Sequence, residues 1–143
     1  QALARFSPQK FRSLSMIRPV DVNISDDFGK RRFFNNKPRR PHSGVDMAAP
    51  VGTPIVAPLA GRVIDMGEFF FNGNVIFIDH GLGLVSMYCH MHKFDVKKGQ
   101  MLKKGEKIGE VGATGRVTGP HLHWGVSLNG SMVDPRLFFG TVK

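Results

Sequence analysis

The apolar runs of this chain are short and are separated by glycine-bearing turns: Asn72-Gly73-Asn74, His80-Gly81-Leu82-Gly83, Lys97-Lys98-Gly99-Gln100, Lys103-Lys104-Gly105-Glu106 and Asn129-Gly130. Such punctuation leaves no room for long helices, because each turn reverses the chain before three or four helical turns could form. With 17 Gly and 9 Pro in 143 residues, the composition says the same. Strands are expected at Arg18–Ile24, as a pair Ile55–Ala57 and Gly61–Met66 joined through Pro58-Leu59-Ala60, and at Val75–Asp79, Leu84–His92 and Lys107–Gly112. Another covers the run around His121–Val126, and Asp134-Pro135 leads into a Leu137-Phe138-Phe139 tail. This spacing predicts an all-β fold, an antiparallel two-sheet sandwich or partly open barrel.

A hydrophobic fraction of 41%, with 12 Phe, excludes a disordered polymer, and the length suits one domain with its own core. Residues 1–17, basic and interrupted by Pro8, read as a linker or docking arm, and 18–143 as the domain proper. The basic segment from Lys30 to Pro41, with its Asn35-Asn36-Lys37-Pro38 turn signal, reads as a loop delivering the chain to His42. The net charge of +9 favours polyanionic partners such as nucleic acid, acidic lipid or bacterial wall polymer. The basic residues lie scattered over Lys-Gly turns rather than interleaved with stacking aromatics, which argues against nucleic acid. A single Cys89 cannot form an intramolecular disulfide, and no apolar run approaches the ~20 residues of a membrane span. No signal peptide opens the chain at Gln1, which reads as a piece cut from a longer precursor.

Five of the six histidines fall into three groups: His42 with Asp46, His90 with His92, and His121 with His123. A His-x-His pair in a strand projects from one face, a geometry that suits a metal, and Leu122 and Trp124 then face a core. A catalytic zinc site takes three ligands from His, Asp or Glu and leaves one position open. In an extended strand His42 and Asp46 would stand roughly 13 Å apart, so the chain must turn or coil at Ser43-Gly44 for both to reach one ion. By spacing alone, His90-x-His92 competes with His121-x-His123 for the metal. No His-Glu-x-x-His helix supplies a carboxylate base, so histidines not used as ligands are the natural substitutes. Period two sets Cys89 on the face opposite His90, so a Cys-His nucleophilic pair would need an irregular strand, and Tyr88 is assigned to that opposite face and to packing. His80 is assigned to a turn in a structural role, and His92 to an exposed or loop-bonded one. Phe69-Phe70-Phe71 would be core or hairpin-edge packing or, if exposed, the wall of a substrate groove.

His-Ser-Gly-Val-Asp at 42–46, Ala-Pro-Val-Gly-Thr-Pro-Ile at 49–55, Met-Tyr-Cys-His-Met at 87–91 and the run Gly-Ala-Thr-Gly-Arg-Val-Thr-Gly-Pro-His-Leu-His-Trp-Gly-Val at 112–126 together resemble the LytM/lysostaphin family of zinc peptidoglycan endopeptidases. The likeness runs from about Arg18 to Phe139, and the motifs stand in the family's order. It implies a barrel-sandwich hybrid of the duplicated hybrid motif type, with long loops forming a groove. Gly52–Ile64 and Lys97–Val111 also look like the two halves of a biotinyl/lipoyl module, without a lysine at a hairpin tip to carry a prosthetic group.

Carried over residue by residue, the resemblance implies that His42, Asp46 and His123 bind one Zn2+ and that His90 and His121 are catalytic without being ligands. It implies an endopeptidase acting on stem peptides or cross-links of peptidoglycan, with D-alanyl to meso-diaminopimelate bonds favoured over glycine bridges. A non-catalytic relative that regulates wall amidases is the alternative, and it typically lacks ligands that are all present here. The expected setting is the bacterial cell envelope, periplasmic or secreted, with a monomer open to a regulatory protein partner. The 1–17 arm or the 30–41 loop could cover the cleft, since an amide oxygen of Asn35 or Asn36 could reach the open metal position.

Overall fold

The computed structural model describes residues 15–25, 33–34, 37–38, 44–115, 117 and 119–139. Strands β1 (Phe33–Phe34) and β2 (Lys37–Pro38) pair as a small antiparallel ribbon inside the segment read as a loop. The other nine strands form one antiparallel sheet: β3 (Val45–Ala48), β4 (Pro54–Val56), β5 (Gly61–Phe69), β6 (Gly73–Gly81), β7 (Leu84–Phe94), β8 (Met101–Leu102), β9 (Lys107–Val111), β10 (His121–Leu128) and β11 (Ser131–Val133). A 3-10 turn follows at Pro135–Phe138, started by Asp134, whose carboxylate accepts from the Arg136 N–H. The fold is all-β and antiparallel as expected, and the sheet does not close on itself.

β7 is the central strand. β6 runs along one edge, while on the other β10 takes Leu84–Cys89 and β9 takes Met91–Phe94. β10 is shared the same way, with β3 beside His121–Trp124 and β11 beside Val126–Leu128. Three tight turns fall where glycine and asparagine signal them, and at the last of them Asn129 and Gly130 both take positive φ, 52° and 85°. The core is filled from alternate positions: Val45 and Met47 of β3, Ile76 and Ile78 of β6, and Leu122, Trp124 and Val126 of β10 are all buried.

Two sequence expectations fail. β4 and β5 do not pair with each other; β4 pairs with β9, and β5 with β6 and β8. Pro58-Leu59-Ala60 supplies no residue with positive φ for a tight hairpin, so it carries the chain across instead. The two Lys-Lys-Gly turns close the gap, Gly99 N donating to Val63 O at 2.7 Å and Gly105 N to Ala57 O at 2.8 Å. Arg18–Ile24 is likewise not a strand: in this stretch the backbone is tied at separate points, Val56 N to Pro19 O at 2.8 Å and Ser25 N to Asp46 O at 2.7 Å. Pro19 has no N–H for a ladder. Just before it, Met16 bridges to Phe139 and is buried, and Phe139 stacks on Trp124 with ring centroids 5.7 Å apart.

Candidate functional site

Register places the chemistry. Asp46 of β3 pairs with His123 of β10, and His123 pairs with Cys89 of β7, so these three form one row across the sheet. Directly opposed residues on antiparallel strands share a face. The adjacent row, Val45, Trp124 and Tyr88, points into the core and is fully buried. His121, two residues before His123, stands on the same face as the Asp46 row.

His90 joins them through an irregularity. Tyr88 pairs with Ile76 and Met91 with Asn74, so β7 spends one residue more than β6 between the two pairs. This is a β-bulge, and His90 takes the left-handed φ of 64° within it. Tyr88 to Met91 are consequently all buried in sequence, with no alternation. Plain alternation would give Tyr88 and His90 one face and Cys89 the other. Instead Tyr88 packs in the core, 2.6 Å from the Ser86 hydroxyl, while Cys89 shares the row of Asp46 and His123. The expectation that Cys89 and Tyr88 share the face opposite His90 is thereby corrected, Tyr88 alone of the two entering the core. The thiol is still no nucleophile: burial, then the Asp46 charge, pushes its pKa up to about 12.

The rings meet at short range. His90 and His121 centroids are 4.9 Å apart, and His90 and His123 centroids 6.5 Å. His90 Nδ1–H donates to the Thr114 carbonyl at 2.7 Å, and His121 Nδ1–H donates to the Gly119 carbonyl at 3.0 Å. Because a carbonyl only accepts, both rings keep Nε2 as the second functional nitrogen. His121 Nε2 stands 3.8 Å from Asp46 Oδ1. His123 turns Nδ1 to Asp46 Oδ1 at 2.9 Å, and its Nε2 lies so close to Gly44 that a Cβ there would stand 3.0 Å away. The same Cβ would come within 2.5 Å of Trp124 O, so only glycine fits at 44. Burial, followed by the His121 and His123 charges, lowers the His90 pKa, against the raising effects of the Thr114 carbonyl and Asp46.

His42 lies outside the described residues, as do Asn35 and Asn36. Among the described residues no cluster of three or more His, Cys, Asp or Glu is arranged to hold a metal. What is described is the pair Asp46 and His123. A carboxylate and an imidazole with donor atoms 2.9 Å apart fit the donor set zinc takes, and at Gly44, two residues after His42, the chain touches the His123 ring.

The remaining candidates lie elsewhere. His92 is exposed. His80 sits in β6 rather than in a turn, its Nδ1–H donating to Ala60 O at 3.0 Å and its Nε2 accepting from Ser86 Oγ at 2.7 Å. Phe69, Phe70 and Phe71 are exposed, at 47%, 71% and 65%. A cavity of about 760 Å³ between residues 15–21 and Phe139 is lined by none of the site groups. Sequence reasoning missed Thr114 and Gly119, whose contribution is a backbone carbonyl and leaves no side-chain signal.

The fold and site together define an open antiparallel sheet with a carboxylate and three histidines on one face. The chain belongs to Peptidase family M23, whose sequence model matches residues 40–135. It is 41% identical over 119 residues to the peptidoglycan DD-endopeptidase ShyA of Vibrio cholerae, covering 81% of this chain and 28% of that relative. Among solved structures, a zinc containing peptidase from Vibrio cholerae is 39% identical with a TM-score of 0.77, covering 81% of this chain and 37% of that one. The catalytic domain of the antimicrobial peptidase lysostaphin from Staphylococcus simulans is 30% identical with a TM-score of 0.72, covering 82% of this chain and 92% of that one. The chain thus spans less than a third of the length of the curated relative it matches. Among the described residues no helix is long and apolar enough to cross a membrane.

Proposed function

We propose that this chain is a zinc-dependent endopeptidase domain that cleaves peptide cross-links of bacterial peptidoglycan, of the D-alanyl to meso-diaminopimelate type. The observation that carries this reading is the meeting of Asp46, His90, His121 and His123 on one sheet face of an M23 domain. His42, Asp46 and His123 would hold one zinc ion. When bound, zinc polarises the scissile carbonyl and lowers the pKa of water from 15.7 to ~7.

His90 is the proton acceptor of this scheme. Its Nδ1–H is committed to Thr114 O, and its lowered pKa keeps Nε2 unprotonated near neutrality. His121, its ring adjacent to that of His90 and its Nδ1–H held by Gly119 O, would act as an imidazolium, donating its second proton at Nε2 to the oxygen that gains charge or to the leaving amine. Asp46, with Oδ1 2.9 Å from His123 Nδ1 and 3.8 Å from His121 Nε2, presents a negative charge that offsets developing positive charge on the histidine cluster.

The substrate assignment rests on the relative named a peptidoglycan DD-endopeptidase and on a net charge of +9, which draws the domain to a wall rich in carboxylates and phosphates. The setting proposed with it is the bacterial cell envelope, periplasmic or secreted. Digestion of purified sacculi, with mass analysis of released muropeptides, tests the reading. Cross-linked dimers should fall to monomers, the effect should vanish with chelator and return with zinc, and glycine-bridged wall should resist. Unchanged muropeptides under all conditions would overturn it.

A further inference from the structure

His90 is held in a conformation that a histidine does not adopt unaided, and the atoms that hold it come from two other segments. Its φ of 64° is left-handed, a region that non-glycine residues occupy only when their surroundings over-determine them. Its own N–H donates to Asn72 O at 2.8 Å, and its ring Nδ1–H to Thr114 O at 2.7 Å. Behind it, the Thr114 hydroxyl donates to Met91 O at 2.9 Å and accepts from Asn74 N at 3.0 Å, and Asn74 Nδ2 donates to the same Met91 carbonyl at 2.9 Å. Four of these bonds tie the start of β6 with its preceding turn, or the 113–115 loop, to the bulge, and the fifth, Asn74 N to the Thr114 hydroxyl, ties those two segments to each other.

The contact is also sterically tight. A Cβ on Gly73 would overlap Thr114, and one on Gly115 would stand 2.5 Å from Gly73 N and 2.6 Å from Phe71 O. Hairpin and loop therefore meet backbone to backbone, and the Thr114 carbonyl has one place to be. We propose that Thr114 and Asn74 are positioning residues that lock His90 into a single tautomer, with the proton on Nδ1 and Nε2 turned to the site. This inference rests on the reading of His90 as the proton acceptor, since a ring free to exchange tautomers would present a protonated Nε2 part of the time. His121 differs in that its Nδ1 partner, Gly119 O, lies only two residues away on its own segment.

The experiment is ¹⁵N NMR of histidine-labelled protein loaded with zinc, at a pH where imidazoles are neutral, alongside metal content and sacculus hydrolysis. Thr114→Val keeps the side-chain volume and removes the hydroxyl. It should convert the single Nδ1–H signature of His90 into a tautomer mixture and lower turnover by roughly 10- to 100-fold, the usual loss for such partners, with zinc retained. Thr114→Ser restores the hydroxyl and should restore both signature and turnover, and Asn74→Ala should give a smaller shift in the same direction. An unchanged Nδ1–H signature in Thr114→Val would overturn the inference, whatever the activity. A shifted tautomer with undiminished hydrolysis would uphold the brace and instead overturn the role given to His90.

Discussion

β10 and β7 each bring histidine to the same site, by opposite means. In β10, His121 and His123 follow strict alternation, with Leu122 and Trp124 fully buried behind them. In β7, His90 reaches the site only because a bulge breaks the alternation and a left-handed residue turns the ring. A regular strand places side chains by its period, whereas a bulge does so only with help from the segments that clamp it. Three experiments exploit that difference, and a fourth probes the packing behind β7.

The largest effect is expected in the regular row. Asp46→Ala or His123→Ala should remove zinc and activity together, a loss on the order of 10⁴-fold or more, the scale of deleting an essential catalytic group. Metal analysis and muropeptide release read this directly. Next, His121→Ala should keep the metal yet reduce turnover by roughly 10²- to 10⁴-fold, the contribution of a positioned proton-transfer group. Loss of zinc in that variant, with zinc kept by His123→Ala, would exchange the two roles.

A smaller effect compares the backbones themselves. At 90, glycine should give a more stable protein than alanine by about 1 kcal/mol, because the left-handed conformation penalises any Cβ. At 121 the order should reverse, glycine being less stable than alanine by about 0.5–1 kcal/mol in a regular strand. Denaturant midpoints of the four variants decide it; the same order at both positions would mean that the bulge imposes no special backbone demand.

The smallest effect is a pH dependence beneath β7. His80, whose pKa burial lowers below 6.5, accepts from Ser86, which in turn bonds Tyr88. Below 6.5 the unfolded chain binds the proton more readily than the folded one, so this contribution to stability is complete above 6.5 and is lost as pH falls toward the folded value. The melting temperature should therefore decline through that window, and His80→Gln should flatten the decline.

Much of this was legible without coordinates, for reasons that can be given residue by residue. Glycine at 73, 81, 83 and 130 and asparagine at 129 mark turns because few other residues take positive φ, and the turns fall there. The β10 histidines were legible because period two is a local rule. Cys89 was misplaced for the same reason, since alternation has no means of announcing an extra residue in one strand of a pair. The pairing of β4 with β9 and of β5 with β8 was hidden too, because partners about 40 to 55 positions apart are chosen by which apolar faces can be buried together.

By itself, then, the order of residues determined the antiparallel β class, the turn positions, the family and the side chains available for chemistry, because those depend on local conformational preference and on residue identity. Tertiary structure decided which of them meet. Asp46 faces His123 across 77 positions of chain, and Thr114 O faces His90 Nδ1 across 24, through sheet register and a backbone carbonyl. Neither register nor a carbonyl's direction is written in any side chain; both follow from how the strands close over Trp124 and its neighbours.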